Sequence, residues 1–420
     1  MKLAVIGAGS TYTPELLEGL GRLAGPLGVD EISLHDVDES RLAVVGAAAE
    51  RIARAHGYRG EVRRTEDLAE AVYGAGFVLL QIRVGGQAAR RLDETIPLRC
   101  GCVGQETTGA GGFAKALRTV PVVLDIADAV RRGAAGDAWI VDFTNPVGIV
   151  TRALLNQGHR AIGLCNVAIG FQRCFAQWLE VAPERVALGH AGLNHLTWIR
   201  SVHVDGDDVL PRLLAEHGDD LAAMLEMPRA LFDTLGAIPS YYLRYYYEHD
   251  AVVAEQRGAR TRADEVTEIE QRLLELYRDP MLRDKPPLLM QRGGAYYSEA
   301  ALQLLTSLHA GDRAVHVVDV RNGGALPHLS DEAVVEVPAR VTRDGARPLA
   351  VPPMAPHLAG LVAHVAAYEE LAVEAAVSGD RDTALRALLT HPLIGQRAPA
   401  EQLLDEILAA NRAQLPAFVS

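Results

Sequence analysis

The sequence predicts an α/β fold whose first part is a doubly wound parallel sheet. Short apolar strands alternate with helical stretches through the first 167 of 420 residues, and such alternation is typical of βαβ units with right-handed crossovers. The run Phe77–Ile82 is continuously apolar, as expected for a strand that helices cover on both faces. A strand, a glycine turn and a helix follow one another within Leu3–Leu23. We therefore assign this part to the Rossmann type.

Six apolar runs predict the strands of this sheet, and helical periodicity predicts the helices between them. The strands are expected at Leu3–Ile6, Glu31–Asp36, Val62–Thr65, Phe77–Ile82, Trp139–Phe143 and Ala161–Leu164. The helices are expected at residues 14–23, 40–56, 67–73 and 116–132, and in a stretch that ends at residue 154.

Beyond about residue 170 the pattern becomes a mixture of strands and helices. Strands are expected at 186–188, 195–204, 314–320 and 333–341, and helices at 219–225, 261–277, 298–309 and 356–378. We therefore predict two domains with an extensive interface, residues 1–167 and a mixed α/β domain of residues 168–420.

Bulk composition excludes several classes of function. The chain has 41 Lys and Arg against 54 Asp and Glu, a net charge of −13. Nucleic acid is not an expected partner, because phosphate binding needs clustered basic residues. The chain has no secretory signal and no long apolar segment free of charges, so neither secretion nor a membrane span is expected. Four cysteines make no disulfide framework, and we expect a reduced, cytoplasmic protein.

The first turn of the sheet is a candidate dinucleotide site. Gly7-Ala-Gly9 follows a strand and precedes a helix, a layout that brings backbone N–H groups against a pyrophosphate. Tyr12 stands where the usual fingerprint has its third glycine, so a turn that is merely tight is the alternative. Asp36 ends the second strand, where it can bind ribose hydroxyls and repel a 2′-phosphate. These residues favour NAD over NADP.

Polar residues also follow the fifth and sixth strands. Asn145 comes after one, and Cys165 and Asn166 come after the other, at the sheet edge where doubly wound proteins bind ligands. His195 opens a later expected strand. A Cys165 thiolate and a His195 imidazole suit a divalent transition metal with open, catalytic positions. The alternatives are a small buried cysteine and a core histidine.

Tyrosines and arginines supply further candidates. Five tyrosines lie within residues 241–247. A tyrosine beside a metal and an arginine can act as a base because those charges lower its pKa. The alternative, an aromatic helix face packed between domains, is expected for four of the five. Arg91, Arg262 and Arg292 are candidates for clamping a phosphate, since guanidinium groups bind phosphate bidentately.

Taken together, these motifs resemble one family, the NAD- and metal-dependent glycoside hydrolases of family 4. The resemblance covers nearly the whole chain and rests on many short motifs in the same order. They are Gly9-Ser-Thr-Tyr-Thr-Pro-Glu-Leu16, Arg83-x-Gly-Gly86, Arg91-x-Asp-Glu94, Gly104–Gly112, Thr144-Asn-Pro146, Cys165-Asn-Val167, Leu193-Asn-His-Leu196, Tyr242-Leu-Arg-Tyr-Tyr246, Arg262 with Glu270, Arg292–Tyr297 and Val320-x-Asn-Gly-Gly324. Cys165-Asn-Val resembles the 6-phospho-β-glucosidase branch, although Ala168 stands where that branch usually has proline.

The resemblance implies a fold like that of lactate and malate dehydrogenases, and the hydrolysis of 6-phospho-β-glucosides. NAD⁺ would take a hydride from C3 of the sugar, and a divalent metal, expected to be manganese, would polarise the resulting ketone. A tyrosine would remove the C2 proton. Elimination of the aglycone, addition of water and return of the hydride would complete the reaction. This family is a known exception to hydrolysis by two carboxylates.

The resemblance also implies a role for each candidate residue. Cys165 and His195 would bind the metal. Tyr242 would be the catalytic base, with the adjacent Tyr241 as the alternative. The other catalytic residues would be Glu106, which tunes the basicity of the tyrosine, and Asn166. The substrate-binding residues would be Arg91, Asn145, Asn166 and Arg262, and the cofactor-binding residues would be Gly7, Gly9, Ser10, Thr11, Asp36 and Arg83.

The implied substrate is a phosphorylated disaccharide or β-glucoside, and a homodimer or homotetramer is expected. The second domain would carry substrate, metal and oligomer contacts. One alternative is an NAD-dependent hydroxyacid dehydrogenase, which would leave Cys165, His195 and the tyrosines without a role. Another is a family-4 hydrolase of different sugar specificity. A catalytically idle NAD-binding sensor would lack one ligand, and none is missing.

Overall fold

The computed structural model of the protein describes residues 1–294 and 296–418. Ala295, part of the Arg292–Tyr297 motif, lies outside the described residues. The strands in the described part are β1 (Lys2–Ile6), β2 (Glu31–His35), β3 (Glu61–Thr65), β4 (Ala75–Leu80), β5 (Trp139–Asp142), β6 (Ala161–Gly163), β7 (Val186–Leu193), β8 (Leu196–Val204), β9 (Asp207–Asp208), β10 (Ile238–Pro239), β11 (Val315–Arg321), β12 (Val334–Thr342) and β13 (Gly345–Pro348).

The α-helices of the described residues lie between these strands and after them. They are α1 (Thr13–Leu27), α2 (Glu39–Ala55), α3 (Leu68–Val72), α4 (Gly86–Arg99), α5 (Gly109–Gly133), α6 (Val147–Asn156), α7 (Val167–Trp178), α8 (Leu210–Leu225), α9 (Arg229–Leu235), α10 (Arg244–Tyr247), α11 (His249–Gln256), α12 (Arg262–Tyr277), α13 (Tyr297–Ala310), α14 (Pro356–Ser378), α15 (Arg381–Thr390) and α16 (Arg397–Ala410).

The main sheet has the strand order of a doubly wound fold. Its parallel strands run β3-β2-β1-β4-β5-β6, and β11, β12 and β13 continue the sheet antiparallel beyond β6. A smaller sheet contains β7, β8, β9 and β10. The predicted fold class, a Rossmann-type sheet with a mixed α/β second part, is confirmed.

The second part of the chain completes the first sheet. The strands predicted at 314–320 and 333–341 join it as β11 and β12, and Asp319 of β11 pairs with Gly163 of β6. One large group of buried side chains also spans both parts, with Leu3 and Val5 from the first strand and Val337 and Leu358 from the C-terminal half. Burial of this shared apolar surface stabilises the two parts together. The division at residue 167 stays a prediction.

Several elements differ from the predicted ones. Helix α4 was not expected, and α5 begins at Gly109 rather than near residue 116. A Cβ at Gly111 would lie 2.3 Å from the backbone of Gln105, and a Cβ at Gly112 would lie 2.6 Å from the backbone of Thr107. The two glycines therefore allow α5 to start in close contact with the loop that precedes it. His195 lies in the turn between β7 and β8 rather than in a strand. None of the helices in the described part combines the length and apolar character that a membrane crossing needs.

Candidate active site

A large cleft opens at the carboxyl ends of the parallel strands, the edge where doubly wound sheets bind ligands. Its volume is about 1040 Å³, at the upper end of the roughly 300–1,000 Å³ usual for small-molecule sites. Five predicted site residues, each following a different strand, line it: Gly9, Asp36, Arg83, Asn145 and Asn166. The topology thus brings candidates that are far apart in the sequence to one cavity.

The glycine turn, Gly7–Ser10, forms one end of this cleft. Gly7 has a φ of 88°, which favours glycine, and a Cβ there would lie 2.7 Å from the carbonyl oxygen of Gln81. A Cβ on Gly9 would lie 2.8 Å from the Asp36 carboxylate. The Gly9 N–H donates to Asp36 Oδ2 at 2.7 Å, and the Asp38 N–H donates to Oδ1 at 3.0 Å. Close contacts therefore require both glycines and fix Asp36 beside the turn.

Ser10 and Thr11 have different surroundings. Ser10 lines the cleft, and its Oγ accepts a hydrogen bond from Arg292 Nη2 at 3.5 Å. Thr11 is fully buried, its hydroxyl donates to Glu270 Oε1 at 3.3 Å, and its carbonyl accepts from the Tyr277 hydroxyl at 2.6 Å. The structure therefore does not bring the Thr11 hydroxyl to the cleft as predicted, because packing against α12 uses it.

Glu106 gathers three basic side chains at the cleft wall. Both terminal nitrogens of Arg83 donate to it, Lys115 Nζ lies 2.7 Å from its Oε2, and Arg90 Nη2 lies 3.3 Å from its Oε1. Although burial acts to raise it, these cations hold the pKa of Glu106 well below its usual range. Burial, together with the charge of Arg83, lowers the pKa of Lys115 to about 7. The predicted Arg83 and Glu106 thus form one ion-pair network.

Cys165 and His195 lie in the core behind the cleft wall. Both ring nitrogens of His195 are buried without a hydrogen-bond partner in the described structure, and burial lowers its pKa to about 3, so the ring is neutral and keeps a lone pair. Burial raises the pKa of the Cys165 thiol, while hydrogen bonds from the Val167 N–H and the Asn194 side chain act in the opposite direction. An unpartnered imidazole and a thiol with two donors fit the ligand set of a divalent transition metal.

Cys165 and His195 are two ligands, fewer than a closed metal site has. Within the described residues, no three His, Cys, Asp or Glu side chains converge in a way that could hold a metal ion. A structural zinc site usually has four protein ligands. A metal held by Cys165 and His195 would therefore keep positions for substrate oxygens or water, as a catalytic ion does.

Tyr242 separates His195 from the cleft. Its ring stacks on the imidazole with ring centres 3.6 Å apart at 15°, and it lines the cavity. The adjacent Tyr241 instead donates its hydroxyl to Glu226 at 3.2 Å, away from the cleft, so the geometry favours Tyr242 over Tyr241. Burial raises the pKa of Tyr242 well above its ordinary value, and the lowering by Arg90 is smaller. The lowered pKa expected from the sequence is thus not produced by protein groups alone.

Two predicted substrate arginines differ in position. Arg262 lines the cleft, where its Nη1 lies 2.8 Å from Glu265 and its Nη2 donates to the Gln291 carbonyl at 2.7 Å. The side chain of Arg91 is 64% exposed, lies 3.5 Å from Asp264 and does not contribute to the cleft lining. The structure thus does not bring Arg91 to the cleft, because it lies on the outer face of α4.

The cleft also contains residues that the candidate set lacked. Arg90 and Lys115 line it beside Glu106, and Tyr297 and Asn145 line it as well. Tyr297 also packs edge-on against Phe143, with ring centres 5.6 Å apart. The available sequence signal for Lys115 was that it is a charged residue within the otherwise apolar start of α5. The signal for Tyr297 was its place in the Arg292–Tyr297 motif.

Proteins of known family are similar to this chain along nearly its whole length. The family model described as "Family 4 glycosyl hydrolase" matches residues 2–181, and the model of the family 4 C-terminal domain matches residues 190–394. A probable 6-phospho-β-glucosidase of Bacillus subtilis is 40% identical over 100% of this chain and 98% of that protein. A solved 6-phospho-β-glucosidase from Thermotoga maritima, with manganese, NAD⁺ and glucose-6-phosphate, is 37% identical, has a TM-score of 0.91 and matches over 99% of each chain.

A more distant likeness concerns the fold alone. A lactate dehydrogenase from a deep-sea metagenome library is 13% identical, has a TM-score of 0.57 and matches over 90% of this chain and 98% of its own. This agrees with the dehydrogenase-like fold that the sequence motifs imply. The family models and the full-length relatives go further than the fold, and the chain belongs to the family 4 glycosyl hydrolases.

Proposed function

We propose that this protein is an NAD- and manganese-dependent 6-phospho-β-glucosidase that acts on a phosphorylated disaccharide or β-glucoside. One observation carries the proposal: a single cleft joins the glycine turn and Asp36 at one end to Tyr242 at the other, with Cys165 and His195 behind it. The B. subtilis and T. maritima relatives carry this activity in their names and match along their whole length.

Different residues would hold the dinucleotide and the metal. The backbone N–H groups of Gly7–Ser10 already donate hydrogen bonds within the protein, so the N-terminus of α1 and the Ser10 hydroxyl are the groups that suit a pyrophosphate. The Asp36 carboxylate suits ribose hydroxyls. Cys165 and His195 would hold the metal. When bound, NAD⁺ supplies hydride transfer and the metal supplies polarisation of a carbonyl, neither of which an amino-acid side chain can provide.

Tyr242 is the proposed base for the proton at C2 of the sugar. It lines the cleft beside the metal-binding pair, and a proton next to a carbonyl is the one that a base can remove. Because burial raises the pKa of its hydroxyl, the phenolate needs a cation close by, and a divalent metal held by Cys165 and His195 would supply that charge. Glu106 lies near enough to oppose the phenolate's charge and so to strengthen the base.

The remaining polar groups of the cleft would orient the sugar. Asn145 and Asn166 follow neighbouring strands and line the cavity, where their amides suit sugar hydroxyls. Arg262 and Arg292 also line it, and guanidinium groups suit the 6-phosphate. Arg91 and Thr11 are not proposed to contact ligand directly, because neither lines the cleft.

The test is hydrolysis of p-nitrophenyl β-glucoside 6-phosphate. We expect turnover only when NAD⁺, Mn²⁺ and a reductant are all present, with no net formation of NADH. Cleavage that does not depend on NAD⁺ would refute the redox scheme. Net NADH formation from a hydroxyacid, without glycoside cleavage, would favour a dehydrogenase of the same fold. Faster hydrolysis of the corresponding α-glucoside 6-phosphate would show that the protein has the sugar specificity of another branch of the family.

Assembly and location complete the proposal. We propose a homodimer or homotetramer, as expected for a dehydrogenase-like fold, which light scattering would test. We also propose a cytoplasmic location. NAD and sugar phosphates are available there, and the structure leaves all four cysteines unpaired, as a reducing compartment would.

A further inference from the structure

Glu336 is a buried carboxylate that the proposed chemistry leaves without a role. It lies in β12, and its side chain is 1% exposed. Its Oε1 lies 2.8 Å from His190 Nε2, and its Oε2 accepts a hydrogen bond from Asn194 Nδ2 at 3.0 Å. Asn194 precedes the proposed metal ligand His195, and His190 lies in the strand that leads to it. Glu336 therefore holds the strand and turn that present His195.

The contact with Asn194 also extends to the second metal ligand. The Asn194 side chain also interacts with the Cys165 thiol, which the charge of Glu336 reaches as well. A carboxylate can only accept hydrogen bonds, so Glu336 obliges the Asn194 amide to present its NH₂ end on this side. The amide then has a second N–H for Cys165. The Glu336 carboxylate thus sets both the orientation of the Asn194 amide beside Cys165 and the conformation of the turn that carries His195.

The turn needs such support because its conformation is unfavourable. His195 has a φ of 62°, which non-glycine residues adopt rarely and only when their surroundings enforce it. The strands close directly around it, since Leu193 pairs with Leu196. An anchored Asn194 limits the rotation of the peptide that carries the imidazole.

The position of Glu336 in the sheet argues against a purely structural role. Asp319 lies directly opposite it in the β11–β12 pairing, and acidic residues facing each other across strands are unfavourable. Both oxygens of Asp319 are buried without a hydrogen-bond partner in the described residues. A packed apolar pair would serve stability at least as well.

We propose that Glu336 is the positioning residue of the metal centre: through Asn194 and His190 it fixes the turn of His195, and through Asn194 it sets which end of that amide faces Cys165. The proposal rests on the assignment of Cys165 and His195 as ligands in the proposed function. Carboxylates that orient metal ligands from behind are a general feature of metal sites.

The experiment measures metal binding by the NAD-loaded protein without turnover. Free Mn²⁺ is titrated by electron paramagnetic resonance, and Co²⁺ is added separately to record the thiolate-to-cobalt charge-transfer band. We expect Glu336→Gln to bind Mn²⁺ about 10- to 100-fold more weakly, with a shifted or weakened cobalt band and unchanged NAD affinity. Asp319→Asn is the matched control, and it should bind Mn²⁺ within about twofold of wild type, since Asp319 does not contact Asn194.

Cys165→Ser separates the two possible failures. If wild type does not bind the metal, or Cys165→Ser binds it as tightly, the ligand assignment fails. If wild type binds and Cys165→Ser does not, but Glu336→Gln resembles wild type, only the role of Glu336 is overturned. An equal loss in Asp319→Asn would also overturn it. Should Glu336→Gln not fold, Asn194→Ala carries the same test, because it removes the link to Cys165 and keeps the contact with His190.

Discussion

The two ends of the cleft are built in different ways. The glycine turn and Asp36 belong to the first 36 residues, and their contacts are mainly between backbone atoms and one carboxylate. The buried cluster of Cys165, His195 and Tyr242 draws on three distant segments and depends on side-chain packing. Local sequence thus determines the first end and tertiary packing the second. Substitutions should accordingly change cofactor affinity at the turn and turnover or stability near the buried cluster.

The largest effect is expected from removal of the proposed base. Tyr242→Phe should lower kcat about 10²- to 10⁴-fold, the usual contribution of a general base, because the ring still stacks on His195 while the hydroxyl is lost. NAD affinity should not change. Steady-state kinetics and a fluorescence titration of NADH would measure both. Tyr241→Phe is the control, and an equal loss in that variant would contradict the assignment.

Glu106→Gln should mainly lower stability. The substitution leaves the buried Lys115 and the partly buried Arg83 without their counter-charge, while Arg90 keeps Glu94 at 2.7 Å. A broken buried ion pair costs about 3–5 kcal/mol. Urea unfolding of the protein without ligands would measure it. The double variant with Lys115→Met should recover part of the loss, because it removes one unpaired cation. A double variant as unstable as the sum of the single ones would contradict a shared network.

Substitution of Asp36, beside the glycine turn, should change cofactor binding rather than stability. Asp36→Ala removes hydrogen bonds to a charged acceptor worth about 1.5–3 kcal/mol each, so NAD should bind roughly 10- to 100-fold more weakly and NADP should be discriminated less. Calorimetric titration with both dinucleotides would measure this. Asp38→Asn is the control, since asparagine also caps the α2 helix well. An unchanged preference for NAD would show that Asp36 does not contact the ribose.

Thr11→Val should have the smallest effect on the protein. It tests whether the cofactor-binding residues end at Ser10 or include Thr11. Because the Thr11 hydroxyl contacts Glu270 in the core, its loss should cost about 0.5–1.5 kcal/mol of stability, with NAD affinity unchanged. Ser10→Ala should weaken NAD binding with little loss of stability. Equilibrium unfolding and NAD titration of both variants would check the contrast, and weaker NAD binding by Thr11→Val would restore Thr11 as a cofactor ligand.

Much of the fold could be predicted because each parallel strand is a short apolar run. Helix α4 could not, since it contains Pro97 and its buried face includes Asp93 and Glu94, which in a sequence look like solvent-facing residues. Asp93 is buried because Arg118 of α5 pairs with it at 2.9 Å. Such a pairing depends on the tertiary structure and leaves no local pattern.

The same reasoning applies to the site. The turn and Asp36 follow from spacing. The residue types of Cys165 and His195 suggested a metal pair, and the likeness to a family was needed to prefer that reading over a small buried cysteine and a core histidine. Lys115 was missed because a lone lysine in a helix usually faces solvent, and only the position of Glu106 explains its burial. The sequence motif indicated Arg91, whereas the adjacent Arg90 lines the cleft. Adjacent helical residues point in different directions, and the sequence does not reveal which one faces the cleft.

The continuation of the main sheet by β11 has a consequence for synthesis of the chain. Until residues 315–321 emerge, β6 has no neighbour on its outer side, and an open strand edge favours pairing with other chains. About 150 residues separate the two strands, which at roughly 5–20 residues per second takes on the order of 10–30 s. We therefore expect aggregation mainly while only the N-terminal part of the chain has been synthesised, and a chaperone would help most during that interval.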